Sequence, residues 1–149
     1  MVRQVYCYPY KALSKPRLRM LLEALEAASR TAKTEDLEFR SPLTVEHLLP
    51  QDWEAHWPLP EDADPGAAKA RRAAFLHRFG NLTLLTKALN PSLSNGPWSE
   101  KREAIRQHCL LALSLRAVAE EIWDEDAIEQ RTAELFEMAR RVWPRPTAA

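Results

Sequence analysis

Leu43-Thr44-Val45-Glu46-His47-Leu48-Leu49-Pro50 and Asn81-Leu82-Thr83-Leu84-Leu85-Thr86 are the two stretches on which the fold turns. Each is a short β-branched and apolar run bounded by proline, glycine or asparagine, which reads as a strand. The simplest arrangement pairs them with each other. The rest of the chain holds only 3 glycines against 11 prolines, with Ala-, Leu-, Glu- and Arg-rich stretches that favour helix over a sandwich or barrel. The expected fold is α+β and predominantly helical, a short two-stranded hairpin wrapped by N- and C-terminal helices.

Outward from the strands, helical spacing is clear. Leu18, Leu21, Leu22, Leu25 and Ala28, with Ser14 as N-cap and Pro16 in the first turn, predict a helix near 15–31. Trp53, Trp57 and the prolines that follow predict a short helical turn and then an exposed loop. Ala70, Ala74, Phe75 and Leu76 predict a helix from Ala67 to Phe79, stopped by Gly80. A short helix is expected between Lys87 and Asn95. A longer one, opened by Ser99, runs to about Ala119 on Ile105, Leu110, Leu113 and Ala117, and a last helix covers Glu125–Val142.

The 149 residues, 46% of them hydrophobic, suffice for one core, so residues 1–149 are expected to form a single domain. Equal numbers of basic and acidic residues, 21 each, give no bulk attraction to nucleic acid; a clustered basic face or a separate domain must supply it. Cys7 and Cys109 form no CxxC pair and read as reduced thiols. No apolar run reaches the roughly 20 residues of a membrane helix, and the start lacks a secretory signal. The reading is a soluble cytoplasmic protein with no membrane partner.

A strand ending in His, followed by a second strand and a helix that carry Asn, has a chemical reading. Neutral His47 can take a proton from water, since imidazole titrates near working pH. Glu46 offers a hard carboxylate oxygen, and Asn90 and Asn95 offer amide oxygens. Such ligands suit Mg²⁺ or Mn²⁺, which can bind a phosphate oxygen and steady the leaving 3′ oxygen.

Val45-Glu46-His47-Leu48-Leu49-Pro50-Gln51, then Phe79-Gly80-Asn81-Leu82-Thr83-Leu84-Leu85-Thr86-Lys87, then Asn90, Ser94-Asn95 and Lys101-Arg102 resemble the C-terminal HNH (ββα-metal) domain of GmrSD-type restriction proteins, bacterial defence proteins that act on modified DNA. Phosphorothioate-sensing SspE-like proteins are similar in domain plan. The motif core spans about 43–102. The resemblance implies a DNA-nicking endonuclease of low sequence specificity, with double-stranded DNA as substrate and one divalent ion, Mg²⁺ or Mn²⁺. It makes His47 the general base and Glu46, where the pattern more often has Asp, a metal ligand. Asn81 becomes the catalytic-site residue that holds the loop after the first strand and aims His47, and Asn90 the second metal ligand. Asn95 and Lys101 also match, with Lys101 expected to contact phosphate. The resemblance further implies an NTP-dependent sensor domain on the N-terminal side of the same protein. Because the chain has no GxxxxGK[ST] loop, it is expected to be the C-terminal fragment of a larger restriction protein.

Each residue also has an ordinary reading. His47 alone would be a structural histidine. Asn81 after Gly80 would be turn chemistry, Asn90 before Pro91 a helix cap, and Asn95-Gly96 a turn or C-cap. His77, four residues before Asn81, reaches the site or a phosphate in one reading and is a hydrogen-bonded helix residue in the other. The tryptophans read as packing, and Arg71, Arg72, Arg78, Lys101, Arg102 and Arg106 as solvated faces by default. A non-catalytic helical binding module is the alternative from another class.

Overall fold

The computed structural model describes residues 9–30, 42–93 and 95–145; Cys7 lies outside them. Strands β1 (Leu43–His47) and β2 (Leu82–Thr86) run antiparallel, with Leu43 opposite Thr86 and His47 opposite Leu82. The chain is thus α+β and mainly helical. No tight turn joins the strands; residues 48–81 lie between them.

β2 is buried along Leu82–Leu85, while β1 is half-exposed until His47. The difference comes from the helices stacked on the sheet. Helix α1 (Pro9–Ala12) leads into α2 (Lys15–Ser29), which has Ser14 at its N-cap position and Pro16 in its first turn as expected and buries Leu18, Leu22 and Leu25 on one stripe. Helix α3 (Pro65–Leu76) precedes a 3-10 turn over Phe79–Asn81. After β2 come the single-turn α4 (Asn90–Leu93), α5 (Trp98–His108), α6 (Ala112–Ala117) and α7 (Glu125–Val142). Ile128, Leu135 and Ala139 of α7 join Leu22, Leu84, Leu113 and Phe79 in one core. A buried leucine of this kind is worth about 2–5 kcal/mol over alanine.

The helix boundaries depart from expectation in three places. α3 starts at Pro65 because the Asp64 carboxylate accepts the Ala67 amide at 2.8 Å, and it ends at Leu76. The helix expected over 99–119 is broken. Cys109 and Leu111 are extended and buried, while Leu110 between them is 67% exposed, so the chain alternates as a strand would for one step. The break is held from α2: buried Glu26 accepts the amides of Ala112 and Leu113 at 2.8 and 2.9 Å, supplying the cap that Leu111 lacks. The expected turn of helix near Trp53 is a non-helical turn over 54–56.

Gly80 is not a left-handed stop for α3. It lies in the 3-10 turn with no positive φ, and its amide donates to Thr132 Oγ1 at 3.0 Å. A Cβ there would stand 2.1 Å from the Ile128 carbonyl oxygen, so glycine is what lets the turn lie against α7.

Candidate active site

His47, Asn81, His77 and Lys101 lie around the C-terminal end of β1. Leu48 continues the pairing by donating its amide to the Asn81 carbonyl at 2.9 Å. The Asn81 side chain then fixes the loop that follows. Its Oδ1 accepts the Leu49 amide at 2.8 Å and the Trp123 indole N–H at 3.1 Å, and its Nδ2 donates to the carbonyls of Leu49 at 2.9 Å and Leu76 at 2.8 Å. Both lone pairs and both N–H bonds are thereby used, in a side chain with no solvent exposure. Asn81 holds the loop and has nothing left for a ligand.

Two residues that sequence reasoning did not place support this arrangement. Buried Arg131 of α7 donates to the carbonyls of Gly80 at 2.6 Å and Leu82 at 2.8 Å, bracketing Asn81. The only signal for it was a charged residue inside the apolar stripe of α7. Trp123, expected as packing, packs in the core but also spends its indole N–H on Asn81.

His47 is buried. Its Nε2 lies 3.1 Å from His77 Nδ1, at the C-terminal end of α3. Tyr10 of α1 sets its ring edge-on to His47 and stacks on His77. Burial first, and then the charges of His77 and Lys101, push the His47 pKa down to about 3, so the imidazole is neutral across physiological pH. His77 is thus hydrogen-bonded at the end of its helix, and its partner is His47.

Glu46 and Asn90 meet on the neighbouring side. Asn90 opens α4, donates Nδ2 to Thr44 Oγ1 at 3.0 Å and lies close enough to Glu46 to favour its ionised form. Burial raises the Glu46 carboxyl above its usual range, outweighing the lowering by Lys101, the His47 backbone and Asn90. The half-buried Glu46 carboxylate is a hard oxygen donor whose ionised form an added cation would favour, and Asn90, with its Nδ2 engaged by Thr44, would offer Oδ1. Among the described residues no group of three or more His, Cys, Asp or Glu converges, so a cation here would draw its remaining ligands from water and phosphate.

Lys101 corrects an expectation. It is 1% exposed, and its ammonium points inward, donating to the carbonyls of His47 at 2.8 Å and Leu48 at 3.1 Å, with Glu46 at 3.9 Å. Burial lowers its pKa to about 8 against the pull of Glu46. It secures the strand end and is not open to a phosphate. Arg72, read as part of a solvated face, is likewise buried and paired with Glu125 at 2.7 Å. Asn95 is exposed in the turn before Gly96, with no hydrogen bond to Glu46, His47 or Asn90. A cavity of about 400 Å³ opens beside Asn90, floored by Leu43, Thr44 and Val45 and walled by Tyr10, Lys15 and Arg19.

Across residues 3–138 the chain matches the family model for the C-terminal domain of GmrSD restriction endonucleases. The chain belongs to that family. Neither a curated protein nor a solved structure matches it. As a GmrSD C-terminal domain it is a restriction endonuclease domain, and the match spans both strands, α4 and all of the residues gathered around His47. No helix among the described residues of this GmrSD C-terminal domain is long and apolar enough to cross a membrane.

Proposed function

We propose that the domain is an HNH-type, ββα-metal nuclease that hydrolyses phosphodiester bonds of double-stranded DNA, one strand at a time, with one Mg²⁺ or Mn²⁺ ion. The observation that carries this reading is a neutral, buried imidazole at the end of β1, with the Glu46 carboxylate next to it in sequence and Asn90 of α4 hydrogen-bonded to Thr44 of the same strand. His47 takes the proton of the attacking water, which an imidazole neutral at pH 7 can do. A divalent ion held by Glu46 and Asn90 would supply charge stabilisation at the phosphate and the leaving 3′ oxygen. Asn81 and Lys101 act one step removed, fixing the loop and the carbonyl of His47 so that its ring cannot drift.

The groove beside Asn90 seats the sugar-phosphate backbone, with Lys15 and Arg19 facing phosphates along it. These groups recognise phosphate and not base edges, so sequence selectivity is low. One site cuts one strand, and the product is a nick with a 5′-phosphate. In the cell the domain serves anti-phage restriction in the cytoplasm, and an N-terminal NTP-dependent domain of the same protein senses the DNA modification.

The test is relaxation of supercoiled plasmid by the purified chain with Mg²⁺ or Mn²⁺, run beside EDTA and a matched RNA. Open-circle product that needs metal, with RNA left intact, supports the reading. No nicking at high enzyme concentration, alone or with the full-length protein, overturns it in favour of a binding module.

A further inference from the structure

The contact between His47 and His77 carries a consequence for the base itself. The His47 Nε2 and His77 Nδ1 atoms are 3.1 Å apart, a hydrogen bond that one proton must make. The rings cannot turn away from it independently. His47 and His77 meet edge to face at 74°, Tyr10 lies nearly parallel to His77 at 5°, and the same Tyr10 ring meets His47 at 69° with centroids 4.6 Å apart. His77 is further fixed by its place at the end of α3, directly before the turn that carries Asn81.

A neutral imidazole carries one proton, so the shared bond has two forms. In one, His77 donates from Nδ1 and His47 accepts at Nε2; the proton of His47 then sits on Nδ1, and neither of its nitrogens keeps a lone pair for water. In the other, His47 donates from Nε2 and His77 accepts at Nδ1, which leaves the His47 Nδ1 lone pair bare. Only the second form contains a general base.

We propose that His77 is a positioning residue that accepts the Nε2 proton of His47 and so fixes the tautomer in which Nδ1 is the basic atom. The inference rests on the nuclease reading above and deepens it. When water gives its proton to Nδ1, the O–H bond breaks, an N–H bond forms, and the hydroxide keeps the electron pair for attack on phosphorus. The resulting imidazolium donates from both nitrogens, and its Nε2–H bond to His77 becomes charge-assisted. His77 can play this part in its neutral form with the proton on Nε2, which leaves the Nδ1 lone pair facing His47 Nε2 at 3.1 Å.

The direct test is long-range proton–nitrogen correlation spectroscopy of the whole chain labelled with ¹⁵N-histidine, metal-free, which reports which nitrogen of His47 is protonated. The expected result is a protonated Nε2 and a bare Nδ1 in the unaltered protein. His77→Asn should keep the pattern, because its Oδ1 stands where Nδ1 stood and accepts the same bond. His77→Leu should lose it. In plasmid nicking, His77→Leu should lower kcat about 10- to 100-fold with KM unchanged, and His77→Asn should recover most of the loss. A proton on Nδ1 of His47 in the unaltered protein overturns the inference, and so does an unchanged kcat in a folded His77→Leu protein. Should the unaltered chain fail to nick while the spectra show the expected tautomers, the nuclease reading falls and the role of His77 in fixing the ring stands.

Discussion

Replacing Asn81 with alanine tests whether the loop after β1 is held by one side chain. The substitution strands four partners, three of them buried: the Leu49 amide, the Trp123 indole N–H and the Leu49 carbonyl, with the half-buried Leu76 carbonyl. Each buried N–H left without an acceptor costs about 1–3 kcal/mol, while the carbonyls, with a second lone pair, cost less. Two donors at the middle of that range give about 4 kcal/mol. A domain is stabilised by about 5–15 kcal/mol in total, so the variant should remain folded at low temperature but with much of its margin gone. Urea denaturation followed by circular dichroism measures the first quantity. Plasmid nicking at a temperature where the variant is folded measures the second, and a loop loosened by about 1 Å should cost on the order of 100-fold in rate. A loss under about 1 kcal/mol with an unchanged nicking rate would refute the view that Asn81 aims His47.

Three further outcomes follow from the same contacts. Gly80→Ala forces a methyl against the Ile128 carbonyl and Thr132 in α7 and should cost about 3 kcal/mol, read as a drop in the urea midpoint; full stability would show that the turn does not need its close approach to α7. The salt dependence of DNA binding should separate groove from core: Lys15→Gln with Arg19→Gln lowers the slope of log K against log salt by roughly two, whereas Lys101→Met destabilises the chain and leaves the slope alone. Acid should destabilise the metal-free protein. His47 is depressed from 6.5 to about 3, so between those values the unfolded chain binds the proton that the folded one refuses, and stability present above pH 6.5 falls with pH by about 2 kcal/mol from 6.5 to 5. The raised carboxyl of Glu46 works the opposite way near its own titration and the lowered His77 works the same way as His47, so the comparison is with His47→Gln, in which the share of the loss due to His47 should vanish between pH 6.5 and 5.

How much of this was legible in the sequence depended on whether the signal was local. The paired strands, α2 and the full span of α7 followed from periodicity, proline and cap residues that act on their own neighbours. The place of Asn81 beside the loop after β1 also followed once the strands were paired, because His47 lies opposite Leu82. The misses were long-range. Glu26 breaks the expected long helix from 86 residues away, and no pattern within 99–119 announces it. Gly80 looked like a helix stop because local rules offer glycine that role, whereas its reason is α7, distant in sequence. Lys101 looked like a phosphate contact because lysine is normally solvated; it is buried because two carbonyls at the end of β1 accept its protons. Tyr10 and His77 meet at His47 only through the packing of α1 and α3, which no spacing in the motif encodes.

If His47 removes the proton from the attacking water, its loss must show in the chemical step. The most direct measurement is the single-turnover cleavage rate of an end-labelled DNA duplex by the unaltered protein and by His47→Ala, at saturating Mg²⁺ and with folding checked by circular dichroism. A loss of about 10²- to 10⁴-fold, with DNA affinity retained, is expected. A His47→Ala rate within about threefold of the unaltered protein would contradict it.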